Sequence, residues 1–263
     1  MELRLNQKVA LVCASSAGIG KAIACGLAAE GVHVSIFSRT KEAVESTAKE
    51  IGKTATGRVI HQVCDLSNPQ DIKRVVEYTQ RELGPIDILI NNQGGPEAGT
   101  LPDITDAQLE SALAVNIRAV FQLTKLCLPS MKKRGFGRVI NILSTSAKEP
   151  LPNMLLSNTV RPAILGFAKS LAKEYAPFGV TINSILPHAV LTERAYSLLE
   201  ERARQEKKDF DTTLANAAKS IPIGRLASPE ECAELAVFLC SPRASYITGA
   251  AIPVDGGATH GLF

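Results

Sequence analysis

Short runs of β-branched and aliphatic residues alternate along this chain with longer stretches in which apolar positions recur at helical spacing. Val9 to Cys13 reads as a buried strand, Ala14-Ser15-Ser16-Ala17-Gly18-Ile19-Gly20 as a glycine-bearing turn, and Lys21 to Glu30 as a helix. The same alternation predicts strands over Val32–Ser38, Val59–Asp65, Ile86–Asn91, Arg138–Leu143, Val180–Leu186 and Ala251–Val254. Between them lie helices over Thr40–Ile51, from Ser67-Asn68-Pro69-Gln70 onward, from the capping box Thr105-Asp106-Ala107-Gln108 to Arg134-Gly135, over Asn158–Tyr175, through the charged stretch Thr192–Ser220, and over Pro229–Cys240. Such an order predicts an α/β fold: one Rossmann-type, doubly wound parallel sheet with helices on both faces. No break in composition divides the 263 residues, so one domain over 1–263 is expected.

Composition narrows the partner. Hydrophobic residues at 45% suffice for a sizeable core, and a net charge of +3 gives no reason to expect nucleic acid or a membrane surface. A small molecule is expected instead. The six cysteines form no Cys-x-x-Cys pair and no metal-ligand spacing, so no metal site is signalled. Together with an N terminus unlike a secretory signal and the absence of Asn-x-Ser/Thr sequons, they suggest free thiols in a reducing cytoplasm.

In an open parallel sheet ligands bind beyond the carboxyl ends of the strands. Ser15, Ser16, Gly18, Ile19 and Gly20 follow the first strand, where glycine lets the backbone approach a pyrophosphate at a helix N terminus. A tight strand-to-helix turn alone would also explain those glycines. The second strand ends in Ser38-Arg39, without the acid that would hold the ribose of NAD, so NADP(H) is expected over NAD(H); a solvated arginine is the bland alternative. Asp65 and Leu66 after the third strand, and Asn92, Gln93 and Gly94 after the fourth, fall on the rim of the same pocket.

These residues resemble the short-chain dehydrogenase/reductase family over about Lys8 to Gly257. Cys13-Ala14-Ser15-Ser16-Ala17-Gly18-Ile19-Gly20 is similar to its Thr-Gly-x-x-x-Gly-Ile-Gly turn, with Cys for Thr and Ala for the first Gly, and Asn91-Asn92-Gln93-Gly94 to its Asn-Asn-Ala-Gly. The resemblance implies catalytic roles for Asn116 and Ser144, nicotinamide binding by the segment from Pro187 through Thr192, a substrate lid over about 189–220, and a homotetramer or dimer. The tail, from Arg225-Leu226-Ala227-Ser228-Pro229 to Val254-Asp255-Gly256-Gly257, resembles the 3-oxoacyl-acyl-carrier-protein reductases and related sugar and alcohol dehydrogenases.

The chain departs from that family at its Tyr-x-x-x-Lys pair. Ser157 stands for Tyr and Arg161 for Lys, still four apart on one helical face. An aliphatic hydroxyl is a far weaker acid than a phenol; Arg161 keeps a positive charge that could hold the nicotinamide ribose, but arginine is a good anion clamp and a poor proton relay. With Pro162 close behind, Ser157 reads equally well as a helix N-cap. Lys148, His188, or a water held by Ser144 and Ser157 are candidates for the missing acid, although a solvated lysine and a packing histidine are the plainer readings. The charges of the lid, Arg194, Arg202, Arg204, Lys207 and Lys208, read as a solvated helix face.

Three functions remain open. One is an NADP(H)-dependent oxidoreductase acting on a small carbonyl or acyl substrate through an atypical proton relay, with Arg161 and His188 favouring an anionic one. A catalytically silent NADP(H)-binding sensor or partner subunit is the second, and a non-redox dehydration or isomerisation the third.

Overall fold

The computed structural model describes residues 1–262. Seven strands, all parallel, form one sheet in the order β3-β2-β1-β4-β5-β6-β7: β1 (Val9–Val12), β2 (His33–Ser38), β3 (Val59–Val63), β4 (Ile88–Asn92), β5 (Gly137–Ile142), β6 (Val180–Pro187) and β7 (Ala251–Val254). The helices are α1 (Gly18–Ala29), α2 (Lys41–Gly52), α3 (Pro69–Leu83), α4 (Asp106–Leu113), α5 (Ala119–Arg134), α6 (Leu155–Tyr175), α7 (Glu193–Glu206), α8 (Phe210–Lys219) and α9 (Pro229–Cys240). The expected doubly wound sheet is the fold.

The period of two along each strand divides the core. Ala10, Val12, Ile88, Ile90 and Ile140 face α1, α2 and α9, where Ile23, Leu27, Val44 and Ala236 meet them. Val9, Leu11, Leu89 and Val139 face the other way, onto Ile72 and Val75 of α3, Leu123 of α5 and Ala168 of α6. With both faces covered, the strands read as continuous apolar runs, which is why they were visible in the sequence. A polar seam crosses the middle: Asn91 and Asn141 are register partners on β4 and β5, and Asn91 Nδ2 donates to Asn141 Oδ1 at 2.9 Å in full burial.

Four helix boundaries differ from expectation. The helix expected from Thr105 to Arg134 begins with its capping box, both halves formed, but breaks at a π-helical turn over Ala114–Arg118. Residues 106–134 are long and apolar enough to cross a membrane by composition, yet here pack against the sheet. At α3 the cap is Asn68 accepting from Gln70 N at 3.0 Å, with Pro69 in the first turn, while Ser67 turns back to Asp65. Helix α6 starts at Leu155 with Met154 as N-cap, so Ser157 lies inside its first turn and is not the cap. Burial of Leu156 and Val160 against Ala112 draws the helix back through that turn, and Pro162 is accommodated inside it at the loss of a backbone donor to Asn158. The stretch 192–220 is two helices, divided where Lys207 adopts a left-handed φ of 51° and Asp209 caps α8.

Asn141→Ala should leave the buried amide of Asn91 with only its longer bond to Thr124 Oγ1 at 3.3 Å and destabilise the protein by about 1–3 kcal/mol, read as a lower urea midpoint at unchanged m-value.

Candidate active site

The site begins where β1 ends. Cys13 N donates to Ile90 O, and Ala14 takes a left-handed φ of 45°, at the position where the family pattern has glycine. Ser15 does not face the cleft: its hydroxyl donates to Val12 O at 2.8 Å and accepts from Phe37 N at 3.2 Å, so it braces the turn between β1 and β2. Gly18, at φ 54°, opens α1. A Cβ on Gly20 would lie 2.6 Å from both Ala14 O and Asn92 Nδ2, so only glycine lets the helix close on this turn. Gly20 therefore shapes the turn from behind, while Ser16, Gly18 and Ile19 lie along the cleft. The N-cap of α1, Ala17, has no side-chain cap, and its first turn holds no acid, so the first N–H groups of the helix remain available to an anion. Asn92 clamps the turn from β4, with Nδ2 donating to Cys13 O at 3.2 Å and Ala14 O at 3.1 Å.

Two cavities meet along Ala14, Ala17, Gly94, Gly95, Pro96 and Arg194. The first, about 440 Å³, is walled by Ser38, Arg39, Asp65 and Leu66. Ser38 Oγ donates to Thr40 O at 3.0 Å, Asp65 accepts from Ser67, and Arg39 is exposed and forms no ion pair among the described residues. Asn116 lies on this cavity too, within the π turn, its Nδ2 donating to Ala112 O at 3.2 Å.

The second cavity, about 510 Å³, gathers Asn92, Gln93, Gly94, Ser144, Ser157, Arg161, Pro187, His188 and Thr192. Ser144 Oγ accepts from Ser146 N at 3.1 Å, which leaves its hydrogen free for the cleft. Ser157 is not joined to Ser144. Its Oγ lies 2.9 Å from Ser146 Oγ and accepts from Arg161 Nε at 3.1 Å, making a buried chain Ser146–Ser157–Arg161. Sequence reasoning missed Ser146, because the helical i, i+4 rule links 157 to 161 but nothing local links a loop hydroxyl to that face.

Arg161 is 7% exposed, and Nη1 donates to Ile142 O at 3.3 Å. Burial first, and then the nearby charge of Arg194, pushes its guanidinium down to about 10, so it stays cationic at neutral pH. His188 places Nδ1 3.0 Å from Thr145 Oγ1, and burial lowers its pKa below the ordinary value, so the ring is neutral at pH 7. Lys148 is exposed and off the cavity. Arg194 is a correction to the solvated-face reading: its guanidinium turns inward, donating to the carbonyl oxygens of Gly95 at 2.6 Å and Pro96 at 2.7 Å. The other lid charges behave as expected, pairing as Arg202 and Lys208 with Glu206 and Arg204 with Glu201 on the surface. Thr192 caps α7 and packs onto the turn, its Cγ2 3.1 Å from the place a Cβ on Gly18 would take.

A dinucleotide fits this frame, with a polar end at Ser38–Arg39, free helix donors in the middle and Thr192 over them. Five of the six cysteines are buried, Cys25 being half-buried; all six are free, and burial pushes the Cys127 and Cys240 thiols up to about 12.

Comparison with known proteins agrees with the geometry. Residues 13–259 match the family model described as enoyl-(acyl carrier protein) reductase. The chain is 37% identical over 262 residues to dehydrogenase/reductase SDR family member 4 of Sus scrofa, covering 98% of this chain and 89% of the relative. The crystal structure of L-sorbose reductase from Gluconobacter frateurii with NADPH and L-sorbose superposes with a TM-score of 0.95 at 33% identity, covering 100% of both chains. A variant actinorhodin polyketide ketoreductase with NADPH gives a TM-score of 0.91 at 31% identity, covering 95% of this chain and 97% of that one.

Two outcomes follow from the local geometry. Ala14→Gly should relieve the left-handed strain and raise stability by roughly 0.5–1 kcal/mol, read as a Tm higher by about 1–3 °C. Because the folded-state pKa of His188 lies below its unfolded value, the unfolded chain binds the proton first on acidification. Stability should therefore fall as pH drops below about 6.5, and His188→Asn should flatten that slope in denaturation measured from pH 7.5 to 5.

Proposed function

The chain belongs to the short-chain dehydrogenase/reductase family, and from that premise we propose that it is an NADP(H)-dependent oxidoreductase that interconverts a small carbonyl compound and its alcohol through an atypical proton relay. The observation that carries this reading is the continuous cleft along the strand ends, with the uncapped N terminus of α1 at its middle and Ser38–Arg39, without an acid, at one end. NADPH in the solved relatives supports the choice of cofactor.

In this reading Gly18, Ile19 and Thr192 hold the pyrophosphate, Ser16, Ser38 and Arg39 the 2′-phosphate end, and Asp65, Leu66 and Gly94 the adenosine. Asn92, Gln93, Pro187 and Arg161 then border the nicotinamide half. In such a site NADPH would supply the hydride for a substrate carbonyl, and the chain's own groups would then meet the charge that develops on its oxygen. Ser144 offers its free hydroxyl hydrogen to that oxygen, and the Arg161 charge stabilises the developing anion. Ser157, which accepts from Arg161 and lies against Ser146 Oγ, would give its hydroxyl proton to the alkoxide oxygen and be reprotonated by Ser146, whose own proton is restored from solvent water, where relatives of the family pattern use a phenol. Forgoing a tuned general acid costs about 100- to 10,000-fold, which leaves positioning and electrostatics to supply the rest of the rate. Asn116, on the wall of the first cavity, ties the π turn back to Ala112 of α4.

Nicotinamide fluorescence is a clean probe, since the chain has no Trp. NADPH should bind at least tenfold tighter than NADH, and Arg39→Asp should erase that preference. Equal binding of both by the wild type would remove the role given to Arg39. In a screen of keto acids, β-ketoacyl thioesters, quinones and aldehydes, Ser144→Ala should lower kcat about 100-fold. Activity that appears only after combining Ser157→Tyr with Arg161→Lys would show instead a binding protein whose chemistry has been lost.

A further inference from the structure

Arg161 is a buried cation without a counter-ion. Two of its arms end on neutral acceptors, the Ser157 hydroxyl and the Ile142 carbonyl, and no carboxylate among the described residues pairs with it. A guanidinium withdrawn from water in this way is costly unless an anion joins it. Its third arm, Nη2, lies 3.4 Å from the point where a Cβ on Gly95 would sit, and Arg194 Nη2 lies 3.2 Å from the same point. Two positive groups thus converge on one glycine, from α6 and from the lid helix α7. The partners of Arg194 are also neutral, the carbonyls of Gly95 and Pro96, which orient the charge without cancelling it. Glu97 is the acid that acts on Arg194, and its carboxylate is already engaged by Gln108 Nε2. On the same second cavity lies Gln93, whose Nε2 is buried without any hydrogen-bond partner. The remaining walls are apolar, with Leu143, Leu151, Met154 and Leu198.

From this arrangement we propose that the cleft takes a carbonyl substrate bearing a carboxylate on an apolar body, with the carboxylate clamped between Arg161 and Arg194 and accepting from Gln93. The carbonyl follows from the oxidoreductase reading; the carboxylate follows from the two guanidiniums and the orphan amide alone. A planar carboxylate matches the fork of a guanidinium, and lost solvation on both sides is offset only when the two meet. The cofactor's pyrophosphate has its own donors at the N terminus of α1, so Arg161, although it borders the nicotinamide half, keeps its Nη2 beside Arg194 for the second ligand.

The test uses benzoylformate and benzoylacetate against their methyl esters, with NADPH, in the wild type and in Arg194→Gln, a change on an exposed helix. The acids should be reduced with kcat/KM at least tenfold above the esters, and Arg194→Gln should collapse that ratio to within about twofold while leaving the Kd for NADPH within twofold. Independently of turnover, calorimetric titration of benzoate into the NADP+-loaded protein should show binding to the wild type and at least tenfold weaker binding to Arg194→Gln. If no compound is reduced but benzoate binds in this arginine-dependent way, the anion site stands and the oxidoreductase reading falls. Acids and esters reduced equally, no binding of benzoate to the wild type, or an Arg194→Gln variant that loses NADPH and keeps the acid preference, would each overturn the proposal.

Discussion

Everything functional in this protein hangs on the divergence at β1. That strand pairs in parallel with β2 on one side and β4 on the other, and the chain leaves the two neighbours in different directions, so a crevice must open above their carboxyl ends. A crevice over bare backbone would expose carbonyls and collapse. Asn92 prevents this by reaching from β4 to the carbonyls of Cys13 and Ala14, and the missing side chain of Gly20 makes room for that amide. The two cavities, the free end of α1 and the wall at Gly94–Pro96 are all arranged around this one clamp.

Within that frame, one buried guanidinium organises the hydroxyls around it. At the position where the family pattern carries Tyr and Lys, this chain has Ser157 and Arg161, both buried, with the Ser157 hydroxyl held between Ser146 and Arg161. Ser157 is therefore an acceptor for the guanidinium first, which fixes the direction of the arginine fork. The result is positive charge held in a fixed direction, toward Gly95, where Arg194 meets it.

The fold was legible because each strand is buried on two faces and each helix carries its own punctuation. Val9–Val12 and Ile88–Ile90 announce themselves as apolar runs, and Thr105-x-x-Gln108 and Pro229 mark helix starts by chemistry that acts within four residues. The π turn over Ala114–Arg118 was not legible, since it arises from packing against α6 and the sheet and leaves no mark in local propensity. The start of α6 was missed for a related reason: Pro162 argues locally for a later start, and the burial of Leu156 overrules it. In the site, residues tied to a strand end, such as Asn92 and Ser144, fall where their spacing puts them. Ser146 and Arg194 could not be read, because their meaning lies in partners 11 and 98–99 residues away.

The inward turn of Arg194 also bears on traffic through the cleft. Its two short bonds to the Gly95 and Pro96 carbonyls fasten the first turn of α7 to the loop after β4, across the mouth between the two cavities. A ligand that recruits the same guanidinium competes with those carbonyls and loosens the fastening as it arrives; when it departs, the carbonyls recover their donor. Were the proposed carboxylate to recruit that guanidinium, entry and exit would turn on an exchange of hydrogen-bond partners at one side chain, and the dwell time of a bound molecule would be set at the first turn of α7 as much as at the reacting atoms.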